Sequence, residues 1–199
     1  MSNRDVILAS IRAHMPKLER PEPAVPLFDG NPPPDLQDAF GHMLAKMGGE
    51  MLVNDLVDPL ASVQAKLKDA KVICSNVPEI AGNRTLSPGT QPTDLADVDY
   101  GVVRAVFAVA ETGSICLTDQ QLTVNTLGYL PQHLIVLLDP ADILPNIHHA
   151  YQHPEWRDAN YAVLQTGPSA TADIEGVLIH GAQGVRSLSV LLLARSPIP

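Results

Sequence analysis

Short apolar runs of strand length recur through the second half of the chain, at Ser114–Thr118, His133–Leu138, Tyr161–Gln165 and Ser187–Ala194. Runs this short and this rich in Val, Ile and Leu read as buried strands. Lys71–Ser75 and Glu50–Asn54 read the same way further upstream. Helical patterns lie between them. Asp35 caps one that runs through Met47 and ends at Gly48-Gly49; others cover Pro59–Lys68, Pro140–Gln152 and a short stretch near Thr171–Val177. Alternation of strand and helix predicts an α/β chain with a mostly parallel sheet sandwiched by helices. Val98–Ala110 is mostly apolar and reads as one or two extended or short helical pieces, which periodicity alone does not separate.

The N-terminal part has a different character. Val6, Ile7, Ile11 and Met15 recur at helical spacing, with Ser2 or Asn3 as cap. Pro16–Pro34 then carries seven prolines in nineteen residues, which excludes regular helix and central strand. It is either an extended arm, wrapping the domain or a neighbouring subunit, or a linker. The expected organisation is an N-terminal helix and proline-rich arm over residues 1–34 and a single α/β domain over 35–195, with a frayed tail at Ser196–Pro199.

A chain of 199 residues with 45% apolar content has enough material for one core. Aromatics are only 4%, so that core must come from Val, Leu, Ile and Ala. A net charge of -9 argues against nucleic acid as a partner, because phosphates need a basic footprint. No run approaches the length of a membrane span, and the N-terminus lacks a signal-peptide pattern, so a cytoplasmic protein is expected. Cys74 and Cys116 are the only cysteines, too few for a four-thiolate iron–sulfur site, and their apolar flanks suit inert core thiols.

Two polar, glycine-bearing segments interrupt the apolar half. One is Ala110-Glu111-Thr112-Gly113-Ser114; the other runs from Thr166-Gly167-Pro168-Ser169 through Thr171-Ala172-Asp173-Ile174-Glu175. An unbroken apolar run, Ala105–Ala110, precedes Glu111 and Ile115-Cys116-Leu117 follow, so a buried carboxylate is expected there. Desolvation would suit it to act as acid, base or nucleophile. The alternative is a carboxylate that pairs with Arg84, Arg104 or Arg186, or accepts backbone N–H groups, and only holds a loop. Gly113 lets a backbone or ligand approach. Gly167-Pro168-Ser169 reads as a turn into a helix, with Ser169 or Thr171 as cap and backbone N–H groups open to an anion. Asp173 and Glu175 would sit in the first turn, two apart and therefore not facing each other. The loop is either such a ligand site or a plain capped helix start.

Both segments resemble the LUD-domain family, in its lactate utilization protein C branch. The likeness rests on Val109 through Ser114, on Gly167-Pro168-Ser169 through Glu175, and on a Gly-rich turn before the last strand, and covers roughly Asp97 to Ala194. It implies the fold shared by ribose-phosphate isomerases and CoA transferases, and Glu-x-Gly at Glu111 is similar to the nucleophilic-glutamate loop of the latter. It also implies a role in oxidising L-lactate to pyruvate beside iron–sulfur partner subunits. The family's closing Gly-x-His-Gly-Pro stands here as His180-Gly181-Ala182-Gln183-Gly184-Val185-Arg186, so no role of that turn carries over.

Other features are weaker. Arg186 can fork onto a carboxylate or phosphate, or stay solvated. His148, His149 and His153 cluster near Glu155, but Pro154 breaks the helix and no third ligand has metal spacing. Walker, dinucleotide and nucleophile-elbow patterns are absent, so no cofactor and no metal is expected. The candidate set is therefore Glu111 as the catalytic group, with Thr112, Gly113, Gly167, Ser169, Thr171, Asp173 and Arg186 around a small carboxylate. Three readings stay open: accessory subunit of a lactate system, stand-alone enzyme on a small anion, and carboxylate-sensing module.

Overall fold

The computed structural model of the chain describes residues 2–16, 24–172, 176, 177, 179, 180 and 183–195. In chain order its elements are α1 (Asn3–His14), α2 (Leu36–Lys46), β1 (Glu50–Met51), α3 (Ala61–Leu67), β2 (Ile73–Ser75), β3 (Tyr100–Arg104), β4 (Ala108–Val109), β5 (Ser114–Thr118), α4 (Asp119–Leu122), β6 (His133–Leu138), β7 (Ile143–Leu144), α5 (Ile147–Gln152), α6 (Pro154–Asp158), β8 (Ala162–Gln165), β9 (Ala170–Thr171), β10 (Ile179–His180) and β11 (Ser187–Leu192).

The central sheet has the order β1-β11-β6-β3-β2, and every pairing in it is parallel. Its strands are apolar on both sides, as a sheet covered on both faces requires. Strand β6 shows the split cleanly. Leu134, Val136 and Leu138 join one apolar cluster and Ile135 and Leu137 the other. Val63 of α3 packs into the second cluster, Phe40 and Leu44 of α2 into the first. Burying side chains of this size stabilises the fold by about 2 kcal/mol each.

A second sheet, β7-β4-β5-β8, shares the first cluster through Ala108, Ile115 and Leu117. Its far face, with Val109 and Cys116, is covered by Ala150 of α5 and Trp156 of α6. The result is a mixed α/β fold with a parallel central sheet flanked by helices, plus a smaller sheet whose β4 and β7 are too short to be read from sequence. The apolar stretch before Glu111 resolves into extended pieces, β3 and β4.

Helix starts follow local chemistry. Asp35 Oδ1 accepts the N–H groups of Gln37 and Asp38 at 2.9 and 3.0 Å, which fixes the start of α2. Ser2 and Asp5 form a reciprocal capping box on α1. None of the α1 residues is buried. The arm beyond α1 is described from residue 24, and it lies against α5. Asn146 Nδ2 donates to Leu27 O at 2.8 Å, and His149 pairs with Asp29 at 2.6 Å.

Two expected helices are corrected. Pro140–Gln152 breaks into a 3-10 turn, β7 and α5, because Asn146 caps a new helix start by accepting the N–H groups of His148 and His149. The helix expected near Thr171–Val177 is absent among the described residues. Ala170–Thr171 instead pairs antiparallel with Ile179–His180. Asp173 and Glu175, expected in the first turn of that helix, lie outside the described residues, as does the expected tail at Ser196–Pro199.

Candidate functional site

The loop before β5 and the loop after β8 meet at one sheet edge. They do so because β5 and β8 run antiparallel, with Ile115 opposite Gln165. Ser114 Oγ lies 2.8 Å from Thr112 Oγ1 and also hydrogen-bonds Thr166 Oγ1. A chain of three hydroxyls thus ties the two loops together.

Both loops also seat the end of α2. Gly113 has φ +66°, and a Cβ there would come within 2.6 Å of the Met43 carbonyl carbon while pressing closer still on the Leu44 amide nitrogen. Gly167 has φ +61°, and a Cβ there would drive into the Met47 carbonyl. Only glycine combines this left-handed conformation with so close a backbone approach. Sequence reasoning gave Gly113 the right property, close approach, without the partner. The signal for the partner lies far away in Met43–Gly49.

Glu111 is exposed, not buried. The apolar run leads into β4, but the chain then turns: Gly113 N–H donates to Val109 O at 2.9 Å, and the turn carries Glu111 to the surface. Glu111 Oε2 accepts the Ile147 N–H at 3.0 Å, and its own N–H donates to Pro145 O at 3.2 Å. Arg84 and Arg104 pair elsewhere, with Asp97 at 2.7 Å and Glu79 at 2.5 Å. Of the two readings of Glu111, the backbone-anchoring one matches the geometry, and the desolvation that recommended it for chemistry is missing.

Two cavities flank these loops. One, of about 280 Å³, is lined by Tyr129, Tyr161, Gly167, Ser169, Gln183 and Gly184 among others. Among the described residues its lining carries amides, hydroxyls and two phenols but no charged side chain. Burial raises the Tyr161 phenol above its ordinary value, with Tyr129 adding to the effect, so it stays a neutral donor. The Ser169 N–H is already used, donating to Val185 O at 2.9 Å. The expected row of free N–H groups at a helix start is therefore not what this loop offers.

The second cavity, of about 450 Å³, holds Glu111 with Phe28, Asp29, Asn146 and His148, and the arm forms one wall. Glu111 and Ser169 line different cavities. Arg186 lines neither; it is exposed at the start of β11. The three histidines also diverge. His148 makes a tilted ring contact with Phe28 at 4.5 Å, His149 pairs with Asp29, and His153 packs on Phe107 at 4.7 Å.

Both thiols are buried. Burial pushes Cys116 up to about 12, with Glu155 adding to the shift, and raises Cys74 as well, against a smaller opposite effect of Arg84. Neither is a ready thiolate.

A parallel sheet with a smaller sheet docked on one face, and two glycine loops joined at that sheet's edge, define an α/β protein of one particular kind. The LUD domain matches residues 91–193, and the chain belongs to the LUD-domain family. It is 30% identical over 149 residues to an uncharacterized protein of Neisseria meningitidis serogroup B, a match covering 73% of this chain and 63% of that one. It is 32% identical over 100 residues to lactate utilization protein C of Bacillus pumilus and 28% identical over 105 residues to that of Geobacillus thermodenitrificans. These cover 47% and 49% of this chain, which spans 42% and 44% of the lengths of those relatives. A crystal structure of a DUF162-family protein from Deinococcus radiodurans shares the fold, with a TM-score of 0.54 at 14% identity over 79% of this chain and 95% of that one. No helix among the described residues is long and apolar enough to cross a membrane.

Proposed function

We propose that this chain is a cytoplasmic accessory subunit of a lactate utilization system, assisting iron–sulfur partner proteins in the oxidation of L-lactate to pyruvate. The observation that carries the reading is unpartnered apolar surface. Val6, Ile7 and Ile11 of α1 and Met15 just after it are each more than half exposed, and Leu56 and Val57 are 99% and 94% exposed. Exposed apolar side chains gathered on one helix mark a docking element. The two named relatives supply the system in which the docking would occur. With two cysteines, both buried, these 199 residues offer no thiolate set for a cluster, so the electron carriers would belong to the partners.

In this reading residues 1–34 form the docking helix and arm, and 35–195 the LUD-type body. A small carboxylate such as lactate would enter the cavity beside Gly167 and Ser169, held by neutral donors. Thr112 and Gly113 would support the Thr166–Ser169 wall of that cavity through Ser114 and α2, and Thr171 would follow it in β9. Glu111 would anchor the loop to α5.

The test is deletion of the gene in its own host, followed by growth on L-lactate as sole carbon source. Loss of growth, restored by the full chain, is expected. Growth at the parental rate would overturn the proposal.

A further inference from the structure

A cleft of about 490 Å³ lies at the amino end of the central sheet. Lys66, Lys71, Tyr100, His133 and Arg186 line it, together with Asp69 and Asp99. Strand register builds it: His133 begins β6 opposite both Tyr100 and Ser187. The Arg186 N–H donates to Gln132 O at 2.7 Å, which fixes Arg186 at the cleft wall.

The charges in the cleft are not equivalent. Asp99 Oδ2 accepts the N–H groups of Lys71 and Val72 at 2.7 and 2.9 Å. Lys66 pairs with Glu50 at 2.8 Å. Arg186 and Lys71 make no salt bridge among the described residues, although the Lys71 charge acts on the Asp99 carboxylate. His133 Nδ1 lies 2.8 Å from Ser187 Oγ, and its ring stacks on Tyr100 at 4.8 Å. That orients the imidazole while leaving Nε2 without a partner among the described residues. Three cations and a histidine thus converge on one cleft of a chain whose net charge is -9.

We propose that this cleft binds a phosphate-type dianion, gripped by Arg186 and Lys71 with Lys66 and His133 beside them. Arg186 offers a planar fork of donors and Lys71 a point charge, a pairing that matches a tetrahedral oxyanion. A monocarboxylate would satisfy Arg186 alone and leave Lys71 with only Asp99 as a counter-charge. The backbone N–H groups of Tyr100, His133 and Arg186 are already bonded, so recognition falls to side chains.

The electrostatics agree. Burial lowers the His133 pKa, and Arg186 and Lys66 lower it further, while Asp99 opposes them. Lys71, Asp69 and Tyr100 are the other titratable groups that line the cleft among the described residues. A bound dianion would offset the two cations and favour the imidazolium. This proposal does not rest on the lactate reading, and its test never touches lactate turnover.

The test is an NMR titration of the His133 imidazole in the full chain, with inorganic phosphate, glycerol 3-phosphate and lactate as separate probes. Saturable movement with phosphate in the low-millimolar range is expected, with a rise in the His133 pKa. The double variant Lys71→Gln/Arg186→Gln should bind about tenfold or more weakly, and Lys71→Arg/Arg186→Lys should retain binding. Response to glycerol 3-phosphate alone would assign the site to an organic phosphate. Failure of both phosphates to move His133, an equal response to lactate, or unchanged binding in the glutamine variant would overturn the proposal. Circular dichroism of each variant separates lost binding from lost folding.

Discussion

Ser114 and Thr166 share a hydroxyl–hydroxyl hydrogen bond across the ends of β5 and β8, and through it the two signature loops become one structural unit. The glycines on either side of that bond, Gly113 and Gly167, both press against the C-terminal half of α2 and the turn after it. The loops therefore hold a helix to a sheet edge as well as walling two cavities.

Replacing either glycine should be costly. Gly113→Ala and Gly167→Ala each combine a left-handed backbone with backbone overlap, and each should lose about 3 kcal/mol. Gly30→Ala has nothing within 4 Å of the new Cβ and should stay within about 0.5 kcal/mol of wild type. Urea denaturation measures all three. Equal stability of Gly113→Ala and Gly30→Ala would contradict the seating of α2.

Glu111 gives a sharper contrast. Its carboxylate accepts one backbone N–H, that of Ile147, from an exposed position. Glu111→Gln keeps an acceptor oxygen and should preserve both stability and growth on lactate. Glu111→Ala should cost about 1 kcal/mol. If Glu111→Gln folds like wild type yet fails to complement the deletion strain, the carboxylate has a chemical role and the anchoring account is wrong.

These two residue types show what the sequence made legible. Strands Ser114–Thr118 and His133–Leu138 are bounded in the structure as their apolar runs predict, because burial on both faces leaves no polar position inside them. Asp35 was readable as a cap because its chemistry is local. Glu111 was misread because one residue of turn separates core from solvent, and local apolarity does not report where a chain reverses. Thr171 was misread as helical for a related reason. A Ser-Thr-rich stretch suits a helix cap by its local chemistry, and the pairing of Ala170–Thr171 with Ile179–His180 is not written in that local pattern. The contacts of Gly113 and Gly167 with α2 join segments remote in sequence, so no local pattern could carry them.

Acid should weaken the fold in a defined direction. Backbone N–H groups of Arg195 and Ala141 hold Asp139 below the usual aspartate range, and those of Val72 and Lys71 do the same for Asp99. A depressed folded pKa contributes stability above the unfolded value of about 3.9, and that stability is lost as pH falls through the folded value. Denaturant midpoints should therefore drop below about pH 4, and less steeply in Asp139→Asn. An unchanged acid limb in that variant would remove Asp139 from the account.

The thiols should be silent in the native state. Cys74 and Cys116 are both buried with raised pKa values. A thiol reagent at neutral pH should find no reactive group until denaturant is added, after which both should react. Rapid native labelling of either would show that its burial is wrong.

The central claim is that α1 and the exposed apolar residues dock this chain onto redox partners. It is tested most directly by affinity purification of the full chain from lactate-grown cells of its own host, beside an Ile7→Asp/Ile11→Asp variant. Neither isoleucine is buried, so the variant should fold normally. The account predicts iron–sulfur proteins recovered in near-equal amount with the wild-type chain and lost with the variant. Recovery of the wild-type chain alone, from cells actively oxidising lactate, would contradict it.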